Sequence, residues 1–183
     1  MYTKLEIEFK SQITQTEYET LMKKYGLENK IIPQTNFYFD TPNYDLQKNK
    51  IALRIRQKEH SVKLTAKVKQ KVGTLERHII LDEDKALHMI ENGFNANVIG
   101  VDYNVVNFAQ LTTLRAKIPF KSGIIFFDKS IYYDVVDYEV EFEVEDIEKG
   151  KVEFYDFLLE NNLTYKPIVS KTKRAYEKTS LKK

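Results

Sequence analysis

Charged residues alternate with apolar residues in several runs of this sequence, and the charges are sorted by sign. Because side chains alternate across a β-strand, each run places its charges on one face. One basic run carries Arg54 and Arg56, and another carries Lys63 and Lys67. Like charges opposite one another destabilise a sheet, so this sorting is unusual for a face that is merely solvated. The basic runs therefore predict a surface that binds a polyanion.

Acidic residues follow the same alternation in two other runs. Glu6 and Glu8 precede Lys10 near the N-terminus, and Glu139 and Glu141 alternate with apolar residues later in the chain. Carboxylate oxygens are the ligands that Mg²⁺ and Mn²⁺ prefer. Acidic and basic strands in one sheet therefore predict a site for a divalent metal ion and a polyphosphate.

The composition excludes several classes of protein. The 183 residues are 42% hydrophobic, which is enough to build a core, and they contain no cysteine for a disulfide, a thiolate metal site or a nucleophile. The 29 basic and 27 acidic residues leave a net charge of +2, so the large positive excess of many nucleic-acid-binding proteins is missing. No apolar stretch approaches the roughly 18 residues of a membrane span. These features predict a cytoplasmic protein without a membrane partner.

Period-2 alternation predicts that strands dominate the chain and position the charged residues. The predicted strands are Leu5–Phe9, Asn36–Phe39, Ile51–Gln57, Ser61–Lys71, Leu75–Leu81, Leu111–Ile118, Gly123–Phe127 and Ile131–Val144.

Capping residues and helical periodicity predict helices between some of these strands. Thr16 and Glu19 form a capping box for a helix that ends at Gly26, and Asp82 caps a second helix that ends at Gly93. Further helices are predicted over Asn104–Gln110, Gly150–Asn161 and Thr172–Lys178. Long antiparallel strands with a few helices predict one α+β domain over residues 1–183. If the charged faces point inward, the sheet closes into a barrel of about eight strands, and the helices cover its apolar outside.

Six short motifs run in a fixed order along the chain. They are the ExExK segment Glu6–Lys10, the YFDT segment Tyr38–Thr41, the LRxR segment Leu53–Arg56, the LTxK segment Leu64–Lys67, the ExE segment Glu139–Glu141 and the SKxxR segment Ser170–Arg174. This series resembles that of the CYTH superfamily, the triphosphate tunnel metalloenzymes, and in particular its bacterial YjbK-like branch.

The resemblance implies an eight-stranded antiparallel β-barrel, or tunnel, with helices packed on the outside. It also implies a metal-dependent triphosphatase that uses Mg²⁺ or Mn²⁺. Members of the family hydrolyse inorganic triphosphate, thiamine triphosphate or RNA 5′-triphosphates, or cyclise ATP. Inorganic triphosphate is the expected substrate, and thiamine or nucleoside triphosphates and polyphosphate are alternatives.

Site residues follow from the same motifs, as the resemblance implies. The metal ligands are Glu6, Glu8, Asp128, Glu139 and Glu141. The phosphate ligands are Lys10, Arg54, Arg56, Lys63, Lys67, Arg115, Lys171 and Arg174. The residues expected to carry catalysis are Glu6, Glu8, Lys10, Arg54 and Arg56.

Several points stay open at the level of sequence. The family often has Arg-x-Glu after the LTxK strand, whereas this chain has Glu76-Arg77-His78, so the role of Glu76 is undecided. Glu143 lies on the acidic face but outside the clearest motif. The attacking water is oriented and deprotonated either by a glutamate or with the help of a second metal ion. The preferred metal and the oligomeric state are also open.

Three other functions fit the same residues. The protein can be a non-catalytic polyphosphate or nucleotide sensor that binds without turnover. It can be a class IV-type adenylate cyclase, although no residues for an adenine pocket stand out. The lysines of the basic runs can bind a nucleic-acid backbone, but the glutamates would repel its phosphates, so no nucleic-acid partner is expected.

Overall fold

The computed structural model describes residues 1–180. The strands within this range are β1 (Tyr2–Ile13), β2 (Ile32–Asp40), β3 (Ile51–Lys58), β4 (Ser61–Lys69), β5 (Thr74–Leu81), β6 (Phe94–Asn95), β7 (Asn104–Phe120), β8 (Gly123–Tyr132) and β9 (Val135–Val144). The helices are α1 (Gln15–Lys24), α2 (Asp45–Lys48), α3 (Glu83–Asn92), α4 (Ile147–Glu160) and α5 (Lys171–Ser180), with a 3₁₀ turn at Ala96–Ile99. No helix within residues 1–180 is long and apolar enough to cross a membrane.

The strands form one sheet whose hydrogen bonding closes on itself. The order is β2-β3-β4-β5-β1-β9-β8-β7, and β2 pairs again with β7, while the short β6 pairs only with β7 among the residues described. The registers of β1 with β9, β2 with β3, β3 with β4, β4 with β5 and β8 with β9 are antiparallel. The predicted closed eight-stranded antiparallel barrel of the α+β class is confirmed.

The chain forms two compact units, and each is assembled from segments that are distant in sequence. The first unit contains Met1–Leu5, Gln34–Thr112 and residues 170–180. The second unit contains Glu6–Pro33 and Thr113–Val169. The single domain over residues 1–183 stays a prediction, and its last three residues lie outside the range that the structure describes.

Each unit has its own hydrophobic core, built from the strand faces opposite the charged residues. In the first unit, Leu53, Ile55 and Leu64 pack with Met89 of α3. Asp82 caps this helix by accepting a hydrogen bond from the Lys85 backbone N–H at 2.7 Å. In the second unit, the core lies under α1 and α4 and includes Ile125, Phe127, Val140, Phe142, Phe154 and Phe157. The predicted helical cover over the apolar strand faces is present within both units.

Helix α1 begins two residues before the predicted position. The capping box uses Thr14 and Glu17, whose side chains bond each other's backbone N–H at 3.2 and 2.6 Å, instead of Thr16 and Glu19. Both pairs have the same Thr-x-x-Glu spacing, so spacing alone does not choose between them. The first pair is used because β1 ends at Ile13, immediately before Thr14.

Two predictions around the later strands are wrong. The predicted helix Asn104–Gln110 is the first part of β7, because Val105, Ala109 and Leu111 are buried at strand spacing. The predicted strand Ile131–Val144 is interrupted by a tight turn at Tyr133, whose φ is 51°. Alternation continues across this turn because it joins β8 to β9 in a two-residue hairpin.

Candidate functional site

The second unit gathers carboxylates from β8 and β9 into one cluster. Asp128 lies opposite Glu139 in the strand register, and Glu141 follows on the same face. All three are buried, and each offers a carboxylate oxygen within 4.8 Å of the others. A set of oxygen ligands fits a hard divalent cation. We call Asp128, Glu139 and Glu141 the acidic cluster, and this cluster has the chemistry to hold the divalent ion that the resemblance implies.

Strand β1 extends the same acidic face. Glu8 lies opposite Glu143, Lys10 lies opposite Glu141, and Glu6 is buried. The Lys10 Nζ donates to Glu8 Oε1 at 2.5 Å. Burial opposes the charge on Lys10, but the Glu8 and Glu141 carboxylates outweigh burial and raise its pKa. Lys10 is therefore a permanent cation at neutral pH, held by the residues that are predicted to bind metal.

Arg115 of β7 lies among the carboxylates. Its Nε and Nη2 atoms donate to the two oxygens of Asp128 at 2.7 and 2.5 Å, and Nη2 also donates to Glu141. Its guanidinium covers the Phe126 ring at 4.4 Å. Burial disfavours the charge, but Asp128 and Glu141 raise the Arg115 pKa above its usual value. The structure thus gives carboxylate contacts to a residue that the resemblance assigns to phosphate, and its phosphate role stays a prediction.

Burial and nearby charges shift the pKa of Glu141. Burial raises its pKa, Arg115 opposes this shift, and the nearby Glu8 and Asp128 add to it. The ionised form of Glu141 is costly mainly because it is buried, and repulsion from the neighbouring carboxylates adds to that cost. A divalent cation at the acidic cluster would relieve that repulsion.

The first unit gathers cations on β3 and β4. Arg56 lies opposite Lys63, Arg54 lies opposite Thr65, and Lys67 follows on the same face. We call Arg54, Arg56, Lys63 and Lys67 the basic cluster. Burial lowers the Lys63 pKa, and the charges of Arg56 and Arg54 lower it further. The basic cluster therefore concentrates positive charge that an anion would neutralise.

Glu76 of β5 lies opposite Lys67 of the basic cluster in the strand register. Its carboxylate contacts Lys67 Nζ at 2.6 Å and His78 Nε2 at 3.0 Å. The other ring nitrogen of His78 is 3.0 Å from the Thr65 hydroxyl. Burial would raise the Glu76 pKa, but Lys67 and Arg54 lower it to about 2. Glu76 thus stays ionised and orients both Lys67 and His78.

Helix α5 is tied to the first unit through Tyr176. The Tyr176 hydroxyl donates to the buried Asp40, which also accepts from the Leu46 and Gln47 backbone N–H groups at 2.9 and 3.1 Å. The Tyr176 ring stacks on Phe108 with 3.8 Å between centroids. These contacts fix the helix that carries the predicted phosphate ligands Lys171 and Arg174.

The structure divides the predicted site residues between the two units. The first unit contains Arg54, Arg56, Lys63, Lys67, Lys171 and Arg174. The second unit contains Glu6, Glu8, Lys10, Arg115, Asp128, Glu139 and Glu141. The roles assigned to these residues stay predictions.

Sequence reasoning missed several polar residues that surround the predicted ones. They are Asn36, Asp40, Thr65, His78 and Tyr176. Alternation carried a signal for some of them, because Thr65 lies between Lys63 and Lys67 on one strand face and Asn36 lies two residues before Tyr38 of the YFDT segment.

The comparison with known proteins agrees with this geometry. The sequence model described as "CYTH domain" matches residues 4–176. The chain is 33% identical over 184 residues to a Bacillus subtilis (strain 168) protein named "Putative triphosphatase YjbK", covering 97% of both proteins. The chain belongs to the CYTH domain family.

Solved structures show the same fold. The crystal structure of a Bacillus halodurans protein, described as "a putative adenylate cyclase (bh2851)", has a TM-score of 0.86 and 29% identity, covering 95% of this chain and 98% of that one. The Hippeastrum protein HpAC1 has a TM-score of 0.77 at 23% identity, covering 95% and 96% of the two chains. At that identity, the likeness to HpAC1 shows the fold alone.

Proposed function

We propose that this protein is a divalent-metal-dependent hydrolase of triphosphate-containing substrates, with inorganic triphosphate as the main substrate. The observation that carries this proposal is that one chain has a buried carboxylate cluster and, separately, a crowded cationic cluster. A complex of Mg²⁺ or Mn²⁺ with triphosphate offers a partner for each: a cation for the carboxylates and phosphate oxygens for the cations. The similarity to the protein named for triphosphatase activity supports the same class of reaction.

The residues of the basic cluster bind and orient the substrate in this proposal. Arg54 and Arg56 donate paired N–H groups to phosphate oxygens. Lys67 acts as a point charge that Glu76 holds in place through the 2.6 Å contact. Triphosphate hydrolysis depends mainly on positioning and on neutralisation of charge, and these residues supply both.

The residues of the acidic cluster would hold the divalent ion, together with Glu6 and Glu8. When bound, such an ion neutralises phosphate charge and lowers the pKa of a coordinated water. Lys10 holds the Glu8 carboxylate in one orientation and adds a positive charge beside it. A reducing compartment such as the cytoplasm is the proposed location, because the sequence contains no cysteine.

A substrate panel tests this function. The purified chain is assayed for phosphate release from inorganic triphosphate, thiamine triphosphate, ATP and long-chain polyphosphate, with Mg²⁺, with Mn²⁺ and with a chelator. We expect the highest kcat/KM for inorganic triphosphate and no turnover with the chelator. Binding of triphosphate without phosphate release would instead establish a sensor.

Adenylate cyclase is the second candidate, because the 29% identical Bacillus halodurans protein carries the name of that activity. The same panel separates it from hydrolysis when cyclic AMP is measured in the ATP reactions. Cyclic AMP formed faster than triphosphate is hydrolysed would replace the first proposal with the second.

A further inference from the structure

Strand β2 presents a row of buried polar residues in the first unit. Gln34, Asn36, Tyr38 and Asp40 alternate along one face of the strand, and each is at most 2% exposed. Burying a polar group is costly unless it finds a hydrogen-bond partner. Each of the four therefore needs a partner in the functional state of the protein.

Two of the four residues have partners within the protein. Asn36 accepts a hydrogen bond from Arg56 Nε at 2.9 Å. Asp40 accepts from backbone N–H groups of α2 and from Tyr176. In contrast, the Gln34 Nε2 and the Tyr38 hydroxyl have no hydrogen-bond partner within residues 1–180.

The two unpaired groups lie on the same strand face as the arginines of the basic cluster. Tyr38 is directly opposite Arg54 in the register of β2 and β3, and opposite residues of a sheet point to the same side. The bond between Asn36 and Arg56 confirms this direction for the next pair along. The Arg54 Nε is itself buried without a partner among the residues described.

The chemistry of these three groups specifies their missing partner. The Gln34 amide nitrogen and the Arg54 Nε can only donate hydrogen bonds, and the Tyr38 hydroxyl can donate one. A ligand that presents only acceptors satisfies all of them together. Phosphoryl oxygens meet this requirement, whereas a nucleobase presents both donors and acceptors on its edges.

We propose that Tyr38 and Gln34 are substrate-binding residues that donate hydrogen bonds to the phosphoryl oxygens bound by Arg54. This inference rests on the proposed function and adds a specificity element to it. Uncharged donors act only over hydrogen-bond distance, so they recognise the positions of oxygens instead of total charge. The part of the substrate at β2 is therefore a phosphoryl group without an organic substituent, as in inorganic triphosphate.

The test compares ligand affinity with the stability of the ligand-free protein. Tyr38→Phe removes one oxygen, and Gln34→Met removes the amide with little change in volume. Isothermal titration with inorganic triphosphate, without metal, should show affinity lowered about 10-fold to 100-fold, the range for a hydrogen bond to a charged group. Without ligand, the Tm of each variant should equal or exceed that of the wild type, because an unpaired buried group is removed.

Tyr25→Phe is the matched control, because the Tyr25 hydroxyl has a partner, Asn161 Oδ1 at 3.0 Å, in the second unit. This variant should have a lower Tm and an unchanged affinity, the opposite of the result for Tyr38→Phe. Salt gives a further readout. Raising KCl from about 50 to about 300 mM should leave the fold-loss for Tyr38→Phe unchanged but reduce the fold-loss for Arg54→Met, since salt screens charges and not short neutral contacts.

The outcomes separate this inference from the proposed function. Wild-type affinity in both Tyr38→Phe and Gln34→Met would overturn the inference and leave the triphosphatase proposal standing. A lower Tm with unchanged affinity would also overturn it, since that pattern marks a structural role. Failure of the wild type to bind inorganic triphosphate without metal would overturn the inference, and failure with Mg²⁺ as well would overturn both proposals.

Discussion

The two compact units differ in how their buried charges are balanced by the protein itself. In the second unit, Asp128 and Glu141 of the acidic cluster receive hydrogen bonds from Arg115, and Glu8 receives one from Lys10. In the first unit, the four cations of the basic cluster crowd one sheet face, where Glu76 contacts Lys67. The acidic cluster of the second unit thus has cationic partners, whereas the basic cluster of the first unit concentrates like charges.

This difference indicates what each unit binds. Like charges crowded on one partly buried face are costly, so the first unit should bind an anion even without metal. Cationic side chains already neutralise part of the negative charge of the acidic cluster. A divalent ion must therefore compete with Arg115 for the same carboxylates. We therefore expect the first unit to bind an anion without added metal.

Loss of a carboxylate from the acidic cluster should give the largest effect on activity. This change tests whether the two units have different roles. Glu139→Gln removes a buried member of the acidic cluster. We expect kcat for inorganic triphosphate with Mg²⁺ to fall roughly a thousandfold if Glu139 holds the ion as proposed, because a bound divalent ion supplies several kcal/mol of transition-state stabilisation. Steady-state phosphate release measures it. Glu145→Gln, at an exposed position just after β9, is the control and should keep full activity.

The pH dependence of stability tests the charge balance of the first unit. The pKa of Glu76 is lowered from its usual 4.5 to about 2, so its ionised form stabilises the folded state above pH 4.5, and this contribution is lost as the pH falls toward 2. The shift corresponds to about 3 kcal/mol. Urea unfolding should show Glu76→Gln less stable than the wild type at pH 7, with a difference that shrinks steadily below pH 4.5.

Glu91→Gln provides the comparison for that pH series, because Glu91 is exposed on α3. It should follow the wild-type curve at every pH. A difference between Glu76→Gln and the wild type that stays constant from pH 7 to pH 2.5 would contradict the paired, ionised state assigned to Glu76.

Weakening the attachment of α5 to the first unit should give the smallest effect. Tyr176→Phe removes the hydrogen bond to Asp40 but keeps the ring that stacks on Phe108. We expect a loss of about 1.5 kcal/mol, which lowers the Tm by roughly 3–6 °C. Triphosphate should also bind a few-fold more weakly, because α5 carries Lys171 and Arg174. Tyr155→Phe, on the exposed face of α4, should leave both values unchanged.

Much of this arrangement follows from strand alternation alone. A period of two assigns every residue of a strand to one of two faces, so the charged face of each predicted strand and the apolar face under the helices were both predictable. The predicted helix at Asn104–Gln110 was wrong because, in so short a segment, the spacing of polar residues fits the helical period as well as the strand period. Tertiary pairing with β6 and β2 decides in favour of the strand.

Contacts between side chains of neighbouring strands were harder to predict from the sequence, because they depend on the register of the strands. Arg115 was grouped with the basic residues, yet it binds Asp128, and each of these residues lies five positions from its strand end at the turn between β7 and β8. If a two-residue turn at Lys121 and Ser122 is assumed, the antiparallel register places Arg115 opposite Asp128. The bond between Tyr176 and Asp40 joins residues 136 positions apart, and no local pattern predicts such a contact.

One binding experiment tests the division of roles most directly. The wild type, Arg54→Met and Glu139→Gln are each titrated calorimetrically with inorganic triphosphate, first with a chelator and then with Mg²⁺. We predict that Arg54→Met binds at least about 10-fold more weakly in both conditions. Glu139→Gln should bind at least as tightly as the wild type with the chelator and should lose only the increase in affinity that Mg²⁺ gives the wild type. Equal losses for the two variants without metal would contradict the account, because the acidic cluster would then be required for binding the anion itself.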